Sequence, residues 1–194
     1  MFALLLLLPP EPAPAPRPKP AAVVLTDETR AKLKEIAFQA ARDGDERTLA
    51  AYFAAGLPVD GPNARGDTLL TVAAYAGQDA AVKLILARPT VEVDARNTMG
   101  LTALAAAAFK GHVGIAGQLV AAKADANAAN GSGQTALMFA ALTGRTAMVE
   151  YLLAVGADPR AADQKGNTPL SLARVQGADE VVKVLEAALA APKK

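Results

Sequence analysis

The sequence predicts an all-α repeat solenoid of about five stacked helix–turn–helix units with short β-hairpin finger loops between them. Three observations carry this reading. Thirteen residues beginning at Arg65, RGDTLLTVAAYAG, return as MGLTALAAAAFKG from Met99, SGQTALMFAALTG from Ser132 and KGNTPLSLARVQG from Lys165, at steps of 34, 33 and 33 residues. A fixed period of this length marks a pile of one supersecondary unit, which cannot bury its apolar face alone. Within each unit glycine, threonine and leucine return at constant offsets. Finally, alanine is abundant, aromatics make up only 4% and tryptophan is absent, so the core must bring helix backbones close instead of filling space with rings.

Residues 1–25 read as an apolar, signal-like start followed by a proline-rich disordered linker. The run MFALLLLL is far short of the roughly 20 residues that span a bilayer, so no stable membrane span is expected. It looks like the apolar region of a secretory signal, although no Lys or Arg precedes it and prolines crowd the stretch where cleavage would fall. A start further upstream would supply the missing basic residues. The expected location is periplasmic or secreted, with cytoplasmic as the alternative. Seven prolines between Pro9 and Pro20 favour an extended polyproline II spacer; a ligand for a proline-recognising domain is the rival reading.

An N-terminal capping unit spans 26–62. Thr26 or Asp27 caps a helix running through LKEIAFQAARDG, whose Leu33, Ile36, Ala37 and Ala40 fall at helical spacing. Gly44 separates it from a second helix, ERTLAAYFAAG. Repeats follow at 63–96, 97–129 and 130–162. Residues 163–194 form a C-terminal capping repeat and tail, with Pro192 ending the last helix.

Each unit reads G-x-T-x-L, a short apolar helix, a second glycine and a second apolar helix. Thr68, Thr102, Thr135 and Thr168 stand where a hydroxyl caps the first helix. Leu70, Leu104, Leu137 and Leu170 should point into the stack. Gly77, Gly111, Gly144 and Gly177 supply the left-handed conformation that ends it. Second helices carry the pairs Tyr52–Phe53, Ile85–Leu86, Leu119–Val120 and Leu152–Leu153. In the last unit the pair is Leu185–Glu186, a charge where no further repeat covers the surface.

Composition excludes several chemistries. A net charge of +1 without long runs of one sign leaves no electrostatic footprint for nucleic acid. No cysteine exists, so disulfides, thiolate metal sites and cysteine nucleophiles are excluded. A hydrogen bond at the helix start accounts for the single histidine, His112; without cysteine it cannot make a structural zinc site, and no second histidine is left to complete a Ser-His-Asp constellation. No phosphate-cradling glycine loop with a following lysine is present. Asp43, Asp45 and Glu46 cluster at one turn, where acids favour the start of the next helix. Neither an enzyme nor a small-molecule cofactor is expected; a polar pocket with converging carboxylates would be the sign of a hydrolase or transferase.

The pattern resembles the ankyrin-repeat family, whose motif is G-x-T-P-L-H-x-A-A-x-x-G-H, from about Leu33 to Leu189. KGNTPL at 165–170 is nearly verbatim, and AVGADP at 154–159 is similar to the family's approach to a finger. The motif histidine of T-P-L-H is replaced by Thr71, Ala105, Met138 and Ser171, and its proline survives only at Pro169. In the family that histidine helps bond one loop to the next, so the resemblance implies fingers less tightly tied here. ARPTVEVD at 87–94 holds the extra residue of the 34-residue step. Gly114 and Gly117 within one second helix each cost about 1 kcal/mol relative to alanine, making that helix the softest unless close packing requires them.

The resemblance also implies where a ligand binds: on the concave face, through finger tips and the exposed side of the first helices. Two residues before each second glycine stand Tyr75, Phe109, Leu142 and Val175, with Arg42 at the equivalent place in the first unit. They form one line, rich in the residue types of interface hot spots; the same side chains could instead wedge between units. Lys110, Thr143 and Gln176 lie beside it. Finger tips offer Arg65 and Asp67, Met99 and Leu101, Ser132 and Gln134, Lys165 and Asn167. Tips of mixed chemistry favour a protein partner over a polyanion. The expected role is an adaptor or scaffold, a monomer binding one protein. An immunity protein against a toxin, or an accessory factor for a periplasmic oxidative-stress enzyme such as a catalase, are the alternatives that the resemblance permits.

Overall fold

A computed structural model describes residues 25–190; the apolar run at 1–8, the proline segment at 9–20 and the closing APKK lie outside the described residues. Ten helices are described: α1 Asp27–Asp43, α2 Glu46–Ala54, α3 Leu69–Ala76, α4 Asp79–Leu86, α5 Ala103–Lys110, α6 Val113–Ala121, α7 Ala136–Leu142, α8 Thr146–Ala154, α9 Pro169–Val175 and α10 Asp179–Ala190. They form five consecutive pairs. First helices pack in one layer and second helices in another, each touching its sequence partner and its same-layer neighbour.

Threonine starts every first helix. The hydroxyls of Thr26, Thr68, Thr102, Thr135 and Thr168 accept the backbone N–H three residues on, at 3.1–3.4 Å. At Thr168 the bond is reciprocated, because its own N–H donates to Ser171 Oγ at 2.8 Å. Ser171 is one of the residues replacing the motif histidine.

Second helices start differently. Asp45 caps α2, accepting the N–H and the hydroxyl of Thr48 at 3.0 and 2.6 Å. Gln78, His112 and Arg145 precede α4, α6 and α8 without any side-chain cap bond. The hydrogen bond expected at His112 is therefore absent. Its ring lies instead on the preceding unit: an alanine Cβ at Gly77 would come within 2.8 Å of His112 Cε1. Arg145 likewise lies on Gly111, and Gln78 on Gly44. Gly77 thus has two reasons to be glycine, its φ of +79° and this close approach. Helices α7 and α9 stop one residue earlier than expected, with Thr143 and Gln176 as caps ahead of Gly144 and Gly177. The Thr143 hydroxyl donates to the Phe139 carbonyl at 2.8 Å, closing the last turn of α7.

The core runs the length of the stack. In the first-helix layer the pairs Ala73–Ala74, Ala107–Ala108 and Ala140–Ala141 are completely buried. Leu70, Leu104 and Leu137 are buried below them. In each second-helix pair the first member (Tyr52, Ile85, Leu119, Leu152, Leu185) is buried, and Phe53, Leu86, Val120 and Leu153 are half-buried.

The last unit departs at three positions, where among the described residues no sixth unit covers it. Leu170 is only half-buried. Glu186 replaces the second apolar member. Arg174 occupies the place of the second alanine, and its guanidinium pairs with Glu186 at 2.7 Å. Two charges that would break an internal layer meet each other at the end of the pile.

The extra residue of the 34-residue step is absorbed in the turn after α4. There Arg88 stacks over the Phe53 ring at 5.2 Å, and Asp60 accepts the Glu92 N–H at 3.1 Å. This row of side-chain acceptors continues where Asp94 accepts the Asp125 N–H, and the Asn127 amide oxygen the Asp158 N–H.

Two predictions follow from burial and geometry. Leu104→Ala should cost about 2–5 kcal/mol, and Leu170→Ala clearly less, when urea midpoints are compared; equal losses would contradict a core that ends at the fifth unit. At Gly117 an added Cβ meets only Tyr151 Oη at 3.8 Å, an ordinary contact, so close packing does not require glycine. Gly117→Ala should gain about 0.5–1 kcal/mol, while Gly77→Ala should lose stability.

Candidate functional site

The fingers are tight turns, not β-hairpins. Among the described residues the only ladder element is one isolated antiparallel bridge, Ala129 to Thr135. A side chain does the work of a ladder. Asn63, Asn97, Asn130 and Asp163 each donate a backbone N–H to the carbonyl four residues on, at 2.9–3.1 Å. Each side-chain oxygen also accepts the N–H groups two and four residues on, at 2.8–3.0 Å. Three backbone bonds thus close on one residue, in the manner of Asx turns. This row returns at the repeat's own period three residues before each first glycine, so N-x-x-G or D-x-x-G was its visible signal.

Neighbouring fingers are tied despite the lost histidine. Thr98 Oγ1 donates to the Arg65 carbonyl at 2.7 Å, and Asn97 Nδ2 to Asp67 Oδ1 at 2.8 Å. Gln164 donates through Nε2 to the Gly131 carbonyl at 2.8 Å and through its backbone N–H to the Ser132 carbonyl at 2.9 Å. The expected looseness is corrected at these two joints.

The turns sort the tip residues. Arg65, Met99, Ser132 and Lys165 are exposed. Asp67, Leu101, Gln134 and Asn167 are half-buried, because their position closes the turn. Gln134 accepts from Asn130 Nδ2 at 3.1 Å, and Asn167 donates to Asp163 at 2.9 Å. These four positions close the finger turns and still keep part of their surface exposed.

The line along the first helices is uneven. Tyr75 is 50% exposed, Phe109 37% and Val175 81%, with Arg42 exposed; Leu142 is half-buried, as are Thr143 and Phe139, whereas Gln176 is exposed. Tyr75 and Phe109 stack across two units, centroids 6.3 Å apart and planes 14° from parallel. Phe109 in turn meets Phe139 edge-on at 6.5 Å. The two rings therefore pack between units and still present surface. Lys110 sets its ammonium 5.1 Å from the Tyr75 centroid, a cation–π contact. Phe139 and the Lys110–Tyr75 pairing were not anticipated, since both cross between registers.

At the first unit Arg42 and Arg65 face a cleft of about 250 Å³ with Glu35, Phe38 and Gln39. Ile36, 51% exposed, lines a shallower one of about 720 Å³ with Lys32, Lys34 and Pro62. Glu35 is the one carboxylate in either cleft. Asp45, from the acidic cluster, is committed to capping: the Thr48 hydroxyl, then the Thr48 N–H, hold its carboxyl below its usual range. Among the described residues no group of three or more His, Cys, Asp or Glu is placed to hold a metal ion. No described helix is long and apolar enough to cross a membrane.

Asp163 makes the fingers' chemistry measurable. The Asn167 side chain, followed by the N–H groups of Asn167 and Lys165, holds its carboxyl below the ordinary value. A carboxyl lowered by folding contributes stability that is complete above the unfolded value, about 3.9, and disappears as pH falls through the lower folded value. Asp163→Asn keeps the turn, as Asn63, Asn97 and Asn130 show, so the variant should lose less stability than the parent between pH 6 and pH 3 in urea titrations.

The chain matches the family model described as ankyrin repeats (3 copies) over residues 37–130 and again over 114–191. No curated protein matches the sequence. Ankyrin repeats are in general protein–protein interaction modules. With the matched residues covering most of the described stack, and five helix pairs built on one period, the chain belongs to the ankyrin-repeat family.

Proposed function

We propose that this chain is a non-enzymatic adaptor that holds one protein partner against the concave side of the stack. The observation that supports it best is the Tyr75–Phe109 pair. Two stacked rings stay partly exposed on a layer whose alanines and leucines are buried. Rigid aromatic surface of this kind supplies contact area at low entropic cost and dominates interface hot spots. Exposed Met99 extends the apolar surface at a finger tip, and Arg42, Arg65, Lys110 and Lys165 provide a polar rim. The clefts of the first unit bring no second carboxylate to Glu35, which favours a binding face over acid–base chemistry. For the location we propose export to the periplasm or beyond, on the apolar run at 1–8 and the proline spacer behind it.

Affinity capture with the full chain as bait tests the adaptor reading. Replacing both Tyr75 and Phe109 by alanine should lower capture of the partner at least about tenfold, with helical content retained by circular dichroism. Undiminished capture by a folded variant would move the binding surface elsewhere. For export, cell fractionation and N-terminal sequencing should find a shortened chain outside the cytosol; an intact Met1 form in the cytosol would reject it.

A further inference from the structure

The fingers and first helices of units two to five (63–76, 97–110, 130–143 and 163–176) carry an uneven charge. Their acids are Asp67 and Asp163, and both are spent internally. Asp67 accepts from Asn97 and Asn63, and buried Asp163 accepts from Lys165 and Asn167. Their cations are Arg65, Lys110, Lys165 and Arg174. Only Arg174 has a carboxylate within ion-pair distance; the ion pairs among the described residues are Lys32–Glu28, Arg174–Glu186 and Lys183–Glu180. Lys165 stands near Asp163 and attracts its carboxylate, and Glu35 shares a cleft with Arg65, which leaves Lys110 as the cation of this face with no acid beside it. The exposed acids of these units lie outside the fingers and first helices, on second helices and their turns: Asp79, Glu92, Asp125, Glu150, Asp158, Asp179, Glu180 and Glu186. Those segments also carry Lys83, Arg88, Arg96, Lys123, Arg145, Arg160 and Lys183, so the excess of cations over acids belongs to the fingers and first helices.

We infer that the partner presents an extended, acidic segment with an apolar anchor. This rests on the concave-face reading and adds the chemistry of what binds there. The anchor lies on the Tyr75–Phe109 pair. A carboxylate beside it meets Lys110, whose ammonium is held over the Tyr75 ring by a contact that leaves its positive charge uncompensated. Arg65 and Lys165 offer further sites toward either end of the groove. Packed helices sit about 8–10 Å apart, and an extended chain rises about 3.3 Å per residue, so the segment advances one unit in about three residues. Lys110 ends its first helix and Lys165 precedes one, an offset of about 12 Å along the helix axis, so carboxylates on Lys110 and Lys165, two units on, would be more than about six residues apart. The chain's own leading segment does not complement this face, since it carries Arg17 and Lys19 against a single acid, Glu11. Nucleic acid fits poorly, because the few cations of this face, Arg42, Arg65, Lys110 and Lys165, are scattered among apolar side chains and form no continuous basic track for a phosphate backbone.

The test is selection of a random dodecapeptide library on the immobilised full chain, with synthetic versions of the enriched peptides titrated afterwards. Enriched peptides should carry Asp or Glu within about three residues of Leu, Ile or Phe, and bind more weakly as salt rises. Lys110→Glu should reduce their affinity roughly tenfold without changing helical content. Enrichment of basic or uncharged peptides, no enrichment at all, or indifference to Lys110→Glu would overturn the inference. If such uncharged peptides still require Tyr75 and Phe109, the docking face stands and only the partner's chemistry is wrong. If acidic peptides bind without needing those rings, the concave placement itself fails. A random oligonucleotide pool binding more tightly than the peptides at equal salt would assign the cations to phosphates and equally overturn it.

Discussion

Close approach of the first helices is the constraint from which the rest follows. It is set by consecutive alanines, Ala73–Ala74, Ala107–Ala108 and Ala140–Ala141, whose side chains are completely buried between units. Larger residues there would push neighbouring helices apart and overpack the layer. Because the approach is close, the residue after the second glycine of one unit reaches the second glycine of the unit before it, as His112 does at Gly77. A lateral contact of this kind repeats with the period, and nearest-neighbour contacts are the source of stability in a one-dimensional stack.

The same spacing builds the proposed binding face. The residue following each alanine pair lies at the boundary between core and solvent, and the close approach brings successive members of that row together. Tyr75 and Phe109 can stack only because their helices are near enough for the rings to meet. Lys110 then reaches back over Tyr75. Small buried residues below thus create a rigid apolar surface above, with the Lys110 ammonium at its edge. Fingers contribute rigidity in another way. Their Asx turns and the bonds from Thr98 and Gln164 fix the tips against each other, so less ordering remains for a partner to impose.

Much of this was legible because the chain is one-dimensional: one period places every cap, glycine and core leucine in equivalent surroundings. Thr68, Thr102, Thr135 and Thr168 were readable as caps, and Glu186 as a terminal charge, from offsets alone. What escaped depended on geometry across the period. Lys110 meets Tyr75 one unit back, which no offset within a unit reveals; the Arg174–Glu186 pair stays inside the last unit but joins its two helices, so it follows from their packing and not from the repeat. The hairpin expectation failed since one Asx side chain satisfies the finger's donors and makes strands unnecessary. The Asx row was visible as N-x-x-G, yet attention to the missing histidine pointed to a different way of tying the loops. His112 looked like a cap by position, whereas the glycine beneath its ring explains it by packing.

Removing one internal unit tests the nearest-neighbour account most directly. Deleting residues 97–129 joins Arg96 to Asn130 in register, so the finger, cap and alanine rows all continue. The account predicts a chain that still unfolds cooperatively in urea, with helical signal per residue preserved and denaturant dependence lower by about one-fifth. Loss of the cooperative transition together with collapse of the helical signal would show that the units share one indivisible core, and would contradict it.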